Sequence, residues 1–370
     1  MKLNPAYETT EVNGHYLLVN TKTDEYFELD RDTFHLTGHL QDAREKDQER
    51  LLFLKDRGII LEDGEQAGKQ KRRKGFREIT RIKLFSFRIS GCFRKGILKR
   101  AVESPALPRI IRVCSVIGAV LTAASLIYLM FGSSYMRENA TADRLLRMLP
   151  AVYLLSFLIT CCHELGHVLL CRHYCGYVGR CGVMLFFFMP AFYTNTTVAA
   201  FAERKQRLEI IMAGVSMQLA AAGLLSVLTV AAVMAGSEAG LLLLMLNIIN
   251  FLYIFMNLNP LFKYDGYWLL SVAWDISYLY EKSVSEVLRA VNAKKEGRQI
   301  CRRLFVYGVC LIGFYIVMWT AVIIGICEFL YPVLRLYCAV PVGIVVFLII
   351  REMLGWGKAY RRAEKKKIPA

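Results

Sequence analysis

The sequence predicts a mainly α-helical, polytopic membrane protein with a small α+β domain at its N-terminus. Three observations lead there. Of 370 residues 55% are hydrophobic, and the mean hydropathy is +0.36, too apolar for an ordinary soluble domain. Six apolar runs approach the roughly 20 residues that a helix needs to cross a bilayer. The first hundred residues, by contrast, are charged and hold no such run.

Residues 1–68 come first. Met1 to Leu40 lacks the basic-then-apolar pattern of a secretory signal, so the N-terminus is expected in the cytoplasm. "HYLLVN" (15–20) and "EYFELD" (25–30) alternate as two strands joined by the turn "TKTD". "RDTFHLTGHL" (31–40) and "KDQERLLFLKDRGI" (46–59) have amphipathic helical spacing, the second closed by Gly58. A hairpin with helices suggests a winged-helix-like unit. Residues 69–108 follow as a basic linker, "KQKRRKGFREITR" (69–81), and an amphipathic membrane-surface segment (82–108) suited to anionic lipid.

The membrane domain is expected over 109–350. Its spans are placed at 109–132, 148–171, 208–235, 240–262, 304–328 and 332–350. A seventh apolar stretch, "GVMLFFFMPAFYTNTTVAA" (182–200), contains Pro190 and a polar tail, and reads as a re-entrant hairpin. Irregular backbone at that depth needs cover from protein or a water-filled cavity. Residues 351–370 form a basic tail.

Lys and Arg set the orientation. One side carries Arg94 to Arg112, Arg172 to Arg207, Lys263 to Arg303 and the tail "RRAEKKK"; the other carries little beyond Arg137, Arg144 and Arg147. The rich side is expected in the cytoplasm, with both termini inside a multi-pass cell-membrane protein. The same placement assigns the net charge of +16 to lipid headgroups rather than nucleic acid. Eleven cysteines, mostly in apolar runs, argue against an extracellular disulfide framework.

Polar chemistry concentrates in "TCCHELGHVLLC" (160–171). His163 and His167 lie four apart, which on a helix puts both imidazoles on one face, where two nitrogens can bind one zinc. Glu164 sits beside the first, placed as a general base toward a water on the metal. Ionisable residues inside a membrane span are expensive and are functional by default. A catalytic zinc takes a third protein ligand. Asp265, in "MNLNPLFKYDGYWLL" (256–270), is the foremost candidate, because it lies past the cytoplasmic end of the fourth span. Pro260 and Gly266 break the helix there. Cys171, one turn beyond His167, is a rival. Cys175, Cys181 and His173 have no clean zinc spacing and read as structural.

Together, "HELGH", "GVMLFFFMPAFY", "AGVSMQ" and "NLNPLFKYDGYWLL" follow in an order that resembles the site-2 protease class of intramembrane zinc metalloproteases, most of all its bacterial peptide-metalloprotease branch. The resemblance covers roughly 150–290. It implies that His163, His167 and Asp265 bind Zn2+, that Glu164 is the general base, and that Asn259 holds the substrate backbone or the developing oxyanion. Two departures stand out: Gln218 replaces an Asn that usually ends the third-span motif, and "FYTN" replaces a more acidic stretch. No inserted PDZ domain fits between the spans.

More weakly, the N-terminal pattern is similar to winged-helix domains that bind leader peptides of ribosomally made natural products. That similarity implies strand addition along the hairpin edge. The expected function is therefore a metalloendopeptidase acting on a membrane-associated peptide or precursor, in its maturation or export. The alternatives are a signalling protease that cuts a transmembrane regulator, and a non-catalytic peptide-binding protein serving immunity or export. Oligomeric state is not readable from the sequence.

Overall fold

A computed structural model describes residues 2–20, 25–38, 40, 47–56, 58–61, 81–93, 95–132, 134–186, 189–292, 300–334, 341–343 and 346–347. The chain forms two compact units, Met1–Leu258 and Asn259–Ala370. The described residues are mostly helical, with a small sheet region at the N-terminus.

The first unit begins with β1 (Lys2–Leu3), β2 (Tyr7–Val12), β3 (His15–Asn20), β4 (Glu25–Leu29), α1 (Arg31–Gly38), α2 (Gln48–Asp56) and β5 (Ile60–Leu61). β2, β3 and β4 form an antiparallel sheet in that order, and β1 pairs with β5. The turn between β2 and β3 is Asn13-Gly14, both at positive φ (49° and 78°), the backbone that a tight hairpin demands. Asp30 caps α1, receiving the Thr33 N–H at 3.1 Å and its hydroxyl at 2.5 Å. The strand and helix expectations for 15–20, 25–30, 31–40 and 46–59 match these elements. The turn at 21–24 and the basic linker 69–81, apart from Arg81, lie outside the described residues, as does the tail 351–370.

β6 (Arg81–Phe87), α3 (Gly96–Glu103) and α4 (Leu107–Ile127) follow. The first six residues of the segment read as membrane-surface, 82–87, are thus a strand. β6 pairs antiparallel with β7 (Cys181–Phe186), and β7 with β8 (Met189–Thr194), so the 182–200 hairpin gains a third strand. Leu84, Phe85 and Phe87 give β6 its strand propensity.

α5 (Tyr135–Asn139), α6 (Ala142–Cys175), α7 (Arg204–Met234) and α8 (Ala239–Leu258) complete the unit. α6 ends where Gly176 takes φ 64°, its N–H reaching the Arg172 carbonyl. Glu203 and Gln206 form a capping box at the start of α7. α4 and α7 touch backbone to backbone: a Cβ on Gly223 would lie 2.4 Å from the Gly118 Cα. Small residues permit this approach between apolar helices, which cannot associate by expelling water in a bilayer.

The N-terminal sheet is part of this unit's packing. Val12, Leu17 and Val19 share one core with Val168, Cys171, Cys175, Val178, Val198 and Ile210. Asn13 Nδ2 reaches the Phe201 carbonyl at 3.3 Å and Gln206 Oε1 at 3.1 Å.

The second unit holds α9 (Asp265–Trp274), α10 (Leu279–Asn292) and α11 (Arg302–Leu334) around Tyr267, Leu279, Tyr280, Val284, Tyr307 and Leu311. Tyr307 donates to the Pro260 carbonyl at 2.7 Å and Tyr280 to that of Leu261, pinning the turn before α9. Burial, then neighbouring tyrosines, push the Tyr280 phenol far up, which keeps it a donor.

Among the described residues five helices are long and apolar enough to cross a membrane: Leu107–Phe131, Ala142–Cys175, Arg204–Met234, Ala239–Leu258 and Arg302–Gly325. They overlap the first five expected spans. The fourth stops at Leu258 instead of 262, because Pro260 has no N–H to continue it. The sixth, 332–350, lies largely outside the described residues.

Candidate metal centre

The site begins with how α6 and α7 meet. Gly166 inside "HELGH" has no side chain, and a Cβ there would lie 2.4 Å from the Ala213 carbonyl oxygen. That glycine lets α7 run against the histidine face of α6. On α7, Gly214 does the same in reverse. A Cβ on it would stand 2.4 Å from His163 Cε1 and 2.6 Å from Nε2 of both rings.

Both imidazoles are buried, each 7% exposed. Their outer nitrogens are anchored on α7. His163 Nδ1 meets Gln218 Oε1 at 2.9 Å, and His167 Nδ1 meets the Ile210 carbonyl at 2.8 Å. A carbonyl oxygen only accepts, so His167 Nδ1 carries the proton and its Nε2 presents a lone pair. Gln218 Oε1, the nearer partner, favours the same tautomer on His163, and Asn257 Nδ2 lies 3.3 Å from that oxygen and 3.4 Å from the ring nitrogen. The two Nε2 atoms then face each other 3.0 Å apart. Two lone pairs at that distance repel unless a cation lies between them. The spacing is near the roughly 3.3 Å that separates nitrogens about 2.0 Å from one tetrahedral zinc. The donor set therefore fits a divalent ion that takes nitrogen ligands.

No protein-family model, curated protein or solved structure matches the chain. The chemistry of the site therefore rests on its own residues.

Glu164 is half-buried. It lines an open pocket of about 200 Å³ with Cys161, Leu165, Phe192, Tyr193 and Thr194. Phe157 stacks on Phe192, ring centres 4.5 Å apart, and holds β8 beside α6. The carboxylate thus opens toward a strand at the edge of its sheet.

In the second unit Asp265 is the first residue of α9, where the helix dipole favours a carboxylate. Asn259 Oδ1 accepts the Leu261 N–H at 2.9 Å, so its oxygen organises the turn. Cys171 is fully buried, and its thiol points to the Tyr177 carbonyl at 3.5 Å. With Cys175 and Cys181 it belongs to the apolar core. His173 Nδ1 meets the Val102 carbonyl at 2.6 Å, tying α6 to α3.

Sequence reasoning missed Gly166, Ile210, Gly214 and Asn257 as parts of the site. Ile210 contributes a backbone oxygen, which no side-chain pattern reports. The two glycines have a readable signal: each falls inside an apolar span, where a glycine marks close helix approach.

Proposed function

We propose that the protein is an intramembrane zinc metalloendopeptidase of site-2-protease type, with both termini cytoplasmic. His163, His167 and Asp265 hold Zn2+, and Glu164 is the general base. The observation that carries this reading is the pair of buried imidazoles whose Nε2 atoms face each other 3.0 Å apart, while the other nitrogen of each ring meets an oxygen on α7. A zinc ion bound there supplies Lewis-acid activation of water and of a peptide carbonyl.

The chain's own groups supply the rest. Gln218 and the Ile210 carbonyl hold the imidazoles in one tautomer. Glu164 takes a proton from the attacking water at its carboxylate and returns it to the leaving amine. β8 pairs with an unwound substrate as an added strand, bringing its scissile bond to the Glu164 pocket. Asn259 contributes its Nδ2 to the substrate backbone.

The substrate is a membrane-associated peptide or precursor in maturation or export. The N-terminal region, 1–68, acts as a winged-helix-like leader-peptide domain. Supporting this is an open groove of about 620 Å³ lined by Glu25, Tyr26 and Phe27 of β4, with Thr197, Ala200 and Phe201 facing them. Among the described residues β4 is an edge strand of its sheet, the position at which a further strand adds.

Zinc content decides the metal site. Wild type is expected to hold about one equivalent more than His167→Ala or Asp265→Asn. Glu164→Gln is expected to keep its zinc and to lose hydrolysis of fluorescein-labelled casein in detergent. Equal zinc in wild type and His167→Ala would sink the assignment.

A further inference from the structure

Beyond the histidines the first unit contains a line of buried polar groups that the proposed reaction does not use. It starts at Gln218, whose backbone carbonyl accepts Asn250 Nδ2 at 3.0 Å. Farther along α8, Asn247 Nδ2 reaches Ser226 Oγ at 2.6 Å. Ser226 Oγ then donates to Thr122 Oγ1 at 3.2 Å, and Thr122 donates to the Gly118 carbonyl at 2.8 Å. Gln218, Ser226, Asn247, Asn250 and Thr122 are all at least 96% buried. From Gln218 to Ser226 is eight residues, roughly 12 Å of helix.

The line has one break. Asn247 and Asn250 lie three apart on one face of α8, and no bond joins them. At that break both side-chain oxygens, Asn247 Oδ1 and Asn250 Oδ1, are buried without a partner among the described residues. Turning either amide over moves the defect from the oxygen to the nitrogen. An unmet carbonyl in an apolar interior costs about 1–3 kcal/mol, and two side by side on apolar spans need an explanation. A structural role for the asparagines as glue between helices accounts for their Nδ2 bonds and leaves both oxygens unexplained. A partner for them must donate, and it must be small and neutral, since no charged group belongs to the line. Water has those properties.

We propose that Asn247 and Asn250 form an internal hydration site, in which bound water bridges the two amide oxygens. It joins Thr122, Ser226, Asn247 and Asn250 in one hydrogen-bonded file that ends on the Gln218 backbone carbonyl. The site goes beyond the protease reading and does not depend on it, since none of these bonds involves a group that would hold the metal. Water at this point also holds Asn250 against Gln218, the residue that fixes the His163 tautomer.

Water-edited solid-state NMR on asparagine-labelled full-length protein in lipid bilayers tests this. Side-chain amide peaks are assigned by their loss in Asn247→Ser and Asn250→Ser. The expected result is magnetisation transfer from water to both amides, as for the exposed Asn13. Peaks for Asn247 and Asn250 that receive none, while Asn13 does, would overturn the proposal. If a serine variant does not fold, Asn247→Gln and Asn250→Gln assign the same asparagine peaks, and absence of transfer to them still overturns the proposal. Zinc content is read separately, so failure here leaves the metal assignment standing.

Discussion

Gly214→Ala is the sharpest probe of the metal centre. Its added carbon would stand 2.4 Å from His163 Cε1 and 2.6 Å from both Nε2 atoms. Carbon contacts settle near 3.5–4.0 Å, so the rings must retreat by roughly 1 Å. Zinc sites tolerate about 0.2 Å in ligand distance. The retreat also strains the Gln218 and Ile210 contacts, and disturbing such supporting bonds typically costs about 10–100-fold in affinity. We expect a loss of at least that size, about 1.4–2.7 kcal/mol. In the folded state, the roughly 1 kcal/mol by which a helix favours alanine over glycine works against the packing cost of the added carbon. Zinc competition against a chromophoric chelator, with thermal unfolding in the same detergent, separates the two effects. The expected pattern is weakened zinc and a midpoint that does not fall with it. Wild-type zinc affinity in Gly214→Ala would refute the reasoning.

Gln218→Leu removes the acceptor on His163 Nδ1 and should weaken zinc roughly tenfold or more, while saturating zinc restores full occupancy. Chelator competition reads both. Leu17→Ala empties a fully buried position in the core shared by the sheet and the helix ends. A cost of about 2–5 kcal/mol should appear as faster proteolysis within 15–20, with the zinc content unchanged. At the start of α1, hydrogen bonds from Thr33, its hydroxyl first, hold the Asp30 carboxyl below its usual 3.8. A lowered folded pKa stabilises above the unfolded value, and the gain disappears as pH falls through the folded one. Asp30→Ala should therefore loosen α1 by about 1 kcal/mol near neutral pH, and wild type should converge on it in acid. Hydrogen exchange of the α1 amides at the two pH values checks this.

Much of the membrane scaffold was legible because long apolar runs have few alternatives in a bilayer. Five expected spans overlap five helices, and the end of the fourth, which falls four residues early, does so at a proline. The histidine spacing was equally readable, since four residues on a helix admit one geometry. β6 was not: "RIKLFSF" alternates like a surface strand or an interfacial segment, and its partner lies about a hundred residues on. The site's supports were hidden for a related reason. Gln218 could be noted only as a departure from a pattern, because its target, His163, is 55 residues away. The Ile210 carbonyl and the Gly214 gap belong to backbone placement, which follows from how two helices cross.

The N-terminal sheet and the end of α6 share one core, and this fixes a length. Cys175, which packs in that core, is eight residues past His167, roughly 12 Å along a rigid helix. A peptide held on β4 is then held at a constant reach from the imidazoles. An extended chain advances about 3.3 Å per residue, so that reach counts residues. On the proposed protease reading, such an arrangement would select a bond by its position from the held segment and tolerate varied side chains on either side of it. Lengthening the substrate between those points would shift the cut, where changing its sequence would not.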